Sequence, residues 1–165
     1  MHKLLLALAL ATLHARTVTI RVLVTTDLHG NVYPYDYFIA APAHRGLAKI
    51  ATLIEAERRE DPRALLIDCG DTIQGTPMEA TYQLAFAANK SQRPDPMMLA
   101  MNALRYDAMT MGNHELNFGL RNLNAARSTA KFPWLSANTR AEAGAKPFAP
   151  YVVKTVDGVR VAIIG

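Results

Sequence analysis

Cysteine is nearly absent. Cys69 is the single thiol in 165 residues, so no internal disulfide can form and the fold does not depend on an oxidising compartment. Aromatic residues are sparse as well, at 7%. No block of Lys or Arg is interleaved with them, which leaves out a basic groove with a stacking platform for a nucleic-acid polymer. Beyond the amino-terminal segment, no apolar run approaches the roughly 18 residues that a membrane span needs. Internal repeats and low-complexity stretches are also missing. Charged residues make up 19% and are scattered, with a net charge of +4. A weak positive balance of this kind favours small anionic substrates without defining one. Half of the residues are hydrophobic, a globular composition at the length of one domain with a real core.

Met1 to Ala15 has the features of a signal peptide. Lys3 gives a positive start, Leu4 to Leu13 is a short apolar core, and Ala9-Leu10-Ala11 and Leu13-His14-Ala15 offer cleavage sites. The run lacks the amphipathic period of a buried helix. Export is therefore expected, to a periplasm, a cell surface or the medium, and His2 and His14 carry no chemistry.

Downstream, the hydrophobic period switches between two and 3.6. Thr17 to Thr26 alternates and is rich in β-branched residues, as a strand does. His44 to Glu60 places Leu47, Ile50, Ala51 and Ile54 on one face of a helix, with Glu55, Glu57, Arg58 and Arg59 exposed and His44 at its surface start. Asp61-Pro62 ends that helix. Ala64 to Asp68, Asp107 to Thr110 and Phe132 to Ser136 are expected strands. Met78 to Ala88, Pro96 to Arg105 and Gly119 to Ala130 are expected helices, with Met97, Met98 and Met101 as core filler and Trp134 buried. Tyr151 to Thr155 and Val159 to Ile164 flank Asp157-Gly158, a hairpin signal. Strands alternating with helices define an α/β fold. Tyr33, Tyr35, Tyr37 and Phe38 make the loop after the first strand aromatic, and packing of that loop onto the body is expected. Cys69 is expected to be a small buried residue at a strand end.

The chemistry gathers in three loops. Asp27-Leu28-His29-Gly30-Asn31 follows the first strand, Asp68-Cys69-Gly70-Asp71 the second, and Gly112-Asn113-His114-Glu115-Leu116-Asn117 the third. In open α/β sheets, ligands collect at the carboxyl ends of strands. Carboxylates, imidazoles and amide oxygens placed there suit divalent metals. Each loop alone is a weak signal, since Asp caps many helices. Together, in this order, they are specific.

Asp-x-His, then Gly-Asp, then Gly-Asn-His-Glu resembles the calcineurin-like metallophosphoesterases. The flanks Thr25 to Asn31, Gly70 to Pro77 and Met111 to Gly119 are most similar to the secreted nucleotidase branch, and within it to the 2′,3′-cyclic-nucleotide phosphodiesterase/3′-nucleotidases. The resemblance implies a metallophosphatase-type αββα sandwich, of which residues 16–165 hold the amino-terminal part: one sheet and a portion of the second. It implies two divalent ions (zinc, manganese, iron or cobalt) that activate a bridging water for attack on a nucleotide phosphoester. Asp27 and His29 would hold one ion, Asn113 the other, and Asp71 would bridge them. His114 would face the substrate as an electrophile or acid, with Asn117 beside it. Gly112 and Glu115 would support the loop from behind. In the 5′-nucleotidase branch an Asp stands where this chain has Asn117, so that residue marks the cyclic-phosphodiesterase branch. Arg121 is expected to be a solvated helix residue. The family completes its ligand set with a later His and a Gly-His-x-His stretch and binds the nucleoside in a separate carboxyl-terminal domain. Neither is found in these residues, and Val161 to Gly165 stops without a turn or cap. The chain is therefore expected to be a fragment that holds metal weakly and turns over little. The competing expectations are a 5′-nucleotidase or nucleotide-sugar hydrolase, and a non-catalytic ligand-binding remnant.

Overall fold

The computed structural model describes residues 17–142 and 144–165. The expected signal segment lies outside them. Four strands, β1 (Val22–Thr25), β4 (Leu65–Asp68), β5 (Ala108–Thr110) and β6 (Trp134–Leu135), form a parallel sheet in the order β1-β4-β5-β6. Val24 pairs with Ile67, Ile67 with Ala108, and Met109 with Trp134. Parallel neighbours need long crossovers. Here these are α1 (Leu47–Glu60) after β1, α2 (Pro77–Ala87) and α3 (Pro96–Ala103) after β4, and α4 (Gly119–Thr129) after β5. The connectivity brings the carboxyl ends of β1, β4 and β5, where the three candidate loops begin, to one edge.

Local sequence sets the helix starts. Thr76 and Asp95 cap α2 and α3 by accepting from Glu79 N (3.3 Å) and Met98 N (3.0 Å), and Pro77 and Pro96 occupy the first turns. Leu47 and Ile54 of α1, Leu66 of β4 and Met97, Met98 and Met101 of α3 meet in one core. The three methionines are fully buried, as their expected filling role requires. Each such side chain contributes on the order of 1.5–3 kcal/mol.

A second, antiparallel sheet consists of β7 (Tyr151–Val156) and β8 (Val159–Ile164), turned at Asp157-Gly158. It joins the end of β6 through the Leu135–Ala149 bridge and the Ala137 N–H donated to the Gly165 carbonyl (2.8 Å). Lys154 pairs with Asp107 at 3.1 Å. The fold is α/β, with one parallel sheet and a hairpin of a second, as expected.

Three details differ from the sequence reading. The first strand begins at Val22, because its ladder partner begins at Leu65. The aromatic loop contains a small hairpin, β2 (Tyr35–Asp36) with β3 (Ala41–Pro42). At its tip Asp36 Oδ1 accepts from Phe38 N (2.9 Å) and Ile39 N (3.4 Å), which turns both side chains outward. Tyr35 and Tyr37 do pack, edge to face at 5.4 Å, but Phe38 is 83% exposed. Cys69 is exposed rather than buried. Side chains alternate along a strand, so Asp68 points into the core and Cys69 shares the face of Ile67, Val24 and Val22, where the two valines are also exposed. Arg121 is exposed on α4, as expected, and from there donates to the Ala87 carbonyl (3.0 Å) and lies 4.9 Å over the Phe86 ring, tying α4 to the end of α2.

A buried polar network joins the helices. Gln83 Nε2 donates to Glu79 Oε1 (2.8 Å) and Asp95 Oδ2 (2.9 Å), and Asn122 Nδ2 donates to Gln83 Oε1 (2.7 Å). Glu79 Oε2 is buried with no donor among the described residues. Burial, and then the Asp95 carboxylate, push Glu79 up to about 9. Burial raises Asp95 too. A proton kept on Glu79 and shared with Asp95 supplies the missing donor. Tyr82, the other titratable group facing the pair, is pushed up to about 12 by burial and by the two carboxyls, and stays neutral.

The folded protein thus keeps a proton that the unfolded chain releases near its ordinary value of 4.5. The stabilisation is complete below that pH and is lost progressively as pH rises towards about 9. Glu79→Gln, whose amide keeps a donor towards Asp95, is expected to flatten this slope. Melting temperatures of wild type and variant across that window check it, and parallel slopes would refute the shared proton.

Candidate metal centre

The loop after β1 lies along the loop after β4. Asp27 N donates to the Gly70 carbonyl (3.1 Å), His29 N to Asp71 (2.9 Å) and Gly30 N to Thr72 (2.9 Å). This zipper forces Asp27, His29 and Asp71 into the left-handed region, with φ of 53°, 47° and 60°. Non-glycine residues there cost on the order of 1–3 kcal/mol each. Three candidate ligands sharing that strain mark a site built for something other than stability.

The third loop is pinned by Glu115, which is fully buried. Its Oε2 accepts from Asp71 N (2.9 Å) and Gly112 N (2.7 Å), and its Oε1 from Thr72 N (2.5 Å) and Ile73 N (3.4 Å). One carboxylate therefore closes the β4 loop onto the β5 loop. Gly112 permits the contact: a Cβ there would collide with the Asp71 carboxylate. Residues His114–Leu116 form a single 3-10 turn, and His114 N donates to Asp71 Oδ1 (3.0 Å). Asn113 sits exposed at the start of that turn, and its side chain makes no capping bond.

The two histidines are oriented oppositely. His29 Nδ1 is 2.9 Å from the Gln74 carbonyl. A carbonyl only accepts, so Nδ1 carries the proton and Nε2 keeps its lone pair, 3.6 Å from Asp27 Oδ1. His114 Nδ1 faces the Asn117 side-chain nitrogen at 2.8 Å. An amide N–H donates, so in the neutral ring Nδ1 accepts and Nε2 carries the proton. The rings meet edge to face at 5.1 Å.

His29, Asp71 and His114 offer ligand-type atoms all within 4.8 Å of one another. The sequence reading placed His29 and Asp71 at metal and His114 at substrate, and the structure brings all three into one group. With Asp27 alongside, these mixed nitrogen and oxygen donors fit a borderline divalent ion. The bond from Asn117 sets His114 apart, since it presents a donor where His29 presents a lone pair.

Two supporting residues were missed. Gln74 fixes the His29 ring through a backbone carbonyl, which no side-chain pattern reveals. Asp68, two residues before the expected Gly-Asp pair, is buried and accepts from Thr25 Oγ1 (2.5 Å), Gly70 N (2.9 Å) and Thr72 Oγ1 (2.9 Å). Burial raises its pKa against those bonds. Its place at the inward register of β4 was the available signal.

A parallel sheet whose strand ends carry Asp, His and Asn in this order belongs to the metallophosphatase class of α/β proteins. The chain is a member of the calcineurin-like phosphoesterase family, whose model matches residues 20–159. Over 151 residues it is 42% identical to the 2′,3′-cyclic-nucleotide 2′-phosphodiesterase/3′-nucleotidase of Yersinia enterocolitica, covering 90% of this chain and 23% of that protein. It is 39% identical over 143 residues to the trifunctional nucleotide phosphoesterase protein YfkN of Bacillus subtilis, covering 84% of this chain and 10% of that one. The crystal structure of YfkN superposes with a TM-score of 0.74 at 35% identity, over 87% of this chain and 46% of that chain. The chain thus spans less than a quarter of the length of these two curated relatives. The family uses divalent metals.

Removing the Glu115 carboxylate leaves buried N–H groups of both loops without acceptors. Glu115→Ala is expected to cost about 3 kcal/mol or more in urea unfolding. A loss below about 1 kcal/mol would show that the carboxylate is not the clamp.

Proposed function

We propose that this domain hydrolyses nucleotide phosphoesters, with 2′,3′-cyclic nucleotides or 3′-nucleotides as substrates, in an exported protein. The supporting observation is the convergence of Asp27, His29, Asp71 and His114 at three adjacent strand ends, with the Asn117 amide on His114 Nδ1. Asp27 and His29 would hold one divalent ion, Asn113 a second, and Asp71 would lie between them. When bound, the ions supply charge neutralisation and an activated water, the standard answer to an anionic ester that repels nucleophiles. His114, with its proton on Nε2, would donate to a phosphoryl oxygen or to the leaving alkoxide. Asn117 holds that tautomer, and an Asp there would hold the opposite one; the cyclic-phosphodiesterase reading is preferred to a 5′-nucleotidase because the resemblance to the 5′-nucleotidase branch implies an Asp at this position. Glu115 and Gly112 keep the β4 and β5 loops in register so that these groups meet.

The expected Gly-His-x-His stretch is not among these residues, so the donors of this chain alone make an incomplete set for two ions. A non-catalytic metal- or nucleotide-binding role is the second reading on that ground. Phosphate release from 2′,3′-cyclic AMP, 3′-AMP and 5′-AMP with manganese tests the proposal, on this chain and on the full product of its reading frame. The full product is expected to prefer the first two substrates, with kcat lowered about 100- to 10,000-fold in His114→Ala. Manganese titration by calorimetry separates the roles. Asp71→Asn and His29→Ala should weaken binding, while His114→Ala should not. Metal binding without turnover of any of the three would leave the binding role standing.

A further inference from the structure

A separate cleft opens beside the 3-10 turn. It measures about 710 Å³, within the range of small-molecule sites. Leu116 of the turn, Leu120 of α4 and Phe148 of the segment before β7 form its walls. Leu116 is 48% and Leu120 68% exposed, an apolar surface on the outer side of an otherwise polar helix. Two cations stand at its rim. The Arg127 guanidinium lies 4.9 Å over the Phe148 ring and donates to the Pro147 carbonyl (3.0 Å). Arg140 Nη1 donates to the carbonyls of Ala137 (2.9 Å) and Thr139 (3.1 Å). Neutral carbonyls hold both in place, and neither joins an ion pair among the described residues. Glu142 is the one acidic lining residue.

We propose that this cleft binds an aromatic organic anion, with its ring among Leu116, Leu120 and Phe148 and its acidic group against Arg127 and Arg140. The exposed leucines gain by leaving water, while Phe148, already buried, supplies the floor. The guanidiniums, oriented by stacking and by carbonyls yet unneutralised, present a planar fork matched to a carboxylate, sulfonate or phosphate. The site is distinct from the metal centre and needs neither metal nor turnover. It therefore stands or falls independently of the phosphoesterase reading.

Fluorescence titration with 8-anilinonaphthalene-1-sulfonate, an aromatic anion, tests it in the metal-free protein. One saturable site per chain is expected. Leu120→Glu, a change at an exposed wall position, should weaken binding about tenfold or more. Arg140→Gln should weaken it several-fold and reduce its salt dependence. Val24→Glu, at an equally exposed apolar position on the open face of β1, should leave it unchanged, with far-UV circular dichroism confirming that each variant is folded. Loss of dye binding in Val24→Glu, or its persistence in Leu120→Glu, overturns the proposal. So does the absence of saturable binding, and a dimer by light scattering that Leu120→Glu dissociates would then identify a second copy of the chain as the occupant.

Discussion

The Glu115 carboxylate is the contact on which the metal centre depends. It accepts from four backbone N–H groups, two on each of its oxygens, and these belong to two loops distant in sequence. A buried carboxylate is costly unless fully hydrogen-bonded. Here the cost is offset by donors that would otherwise be orphaned at two strand ends. The result is a rigid junction between β4 and β5. Asp71 and His114 gain fixed positions from it, and the Asp71 carboxylate adds to it by accepting from His114 N (3.0 Å). The β1 loop then locks to the same junction by its backbone zipper, and the strain at Asp27, His29 and Asp71 is held there by the surrounding hydrogen bonds.

Behind the junction the helices serve the same end by different chemistry. The network of Glu79, Gln83, Asp95 and Asn122 ties α2, α3 and α4 together with polar groups rather than with apolar packing alone. Gly30 rests on it: a Cβ at that position would meet Glu79 Cβ at 2.6 Å and Thr76 Oγ1 at 2.8 Å. Thr76 Oγ1 donates to the Gly30 carbonyl (2.9 Å) while capping α2. The carbonyl that orients His29 lies two residues before Thr76. Helix start, loop position and imidazole tautomer are thus coupled within one short segment.

Two histidines close in space are given different work by their second partners. A carbonyl on His29 frees a lone pair, and an amide nitrogen on His114 leaves a proton. The same ring in the same cluster becomes a ligand type or a donor type according to what touches its far nitrogen. This explains how a site of few residue types can both hold a cation and donate to an anion.

Much of this was legible in the sequence, for identifiable reasons. Apolar periods of two and 3.6, capping residues such as Thr76 and Asp95, and the Asp157-Gly158 turn act over a few residues, so the sequence by itself determined the α/β alternation, the helix starts and the hairpin. It also determined which loops carry Asp, His and Asn, and the resemblance ordered them. What needed the tertiary structure was everything that depends on a neighbour distant in the chain. Cys69 faces outward although Leu65, on the same side of β4, is buried. Phe38 turns to solvent because Asp36 caps a hairpin too short to show a period. The tautomers of His29 and His114 follow from single contacts, and the buried proton of Glu79 from burial and then from the Asp95 carboxylate. The Asn117–His114 and Asp36–Phe38 contacts join residues close in sequence, and even there the spacing does not say which atoms meet. Local patterns write the elements, but tautomers, protons and exposed faces are properties of juxtaposition, and only the folded chain decides them.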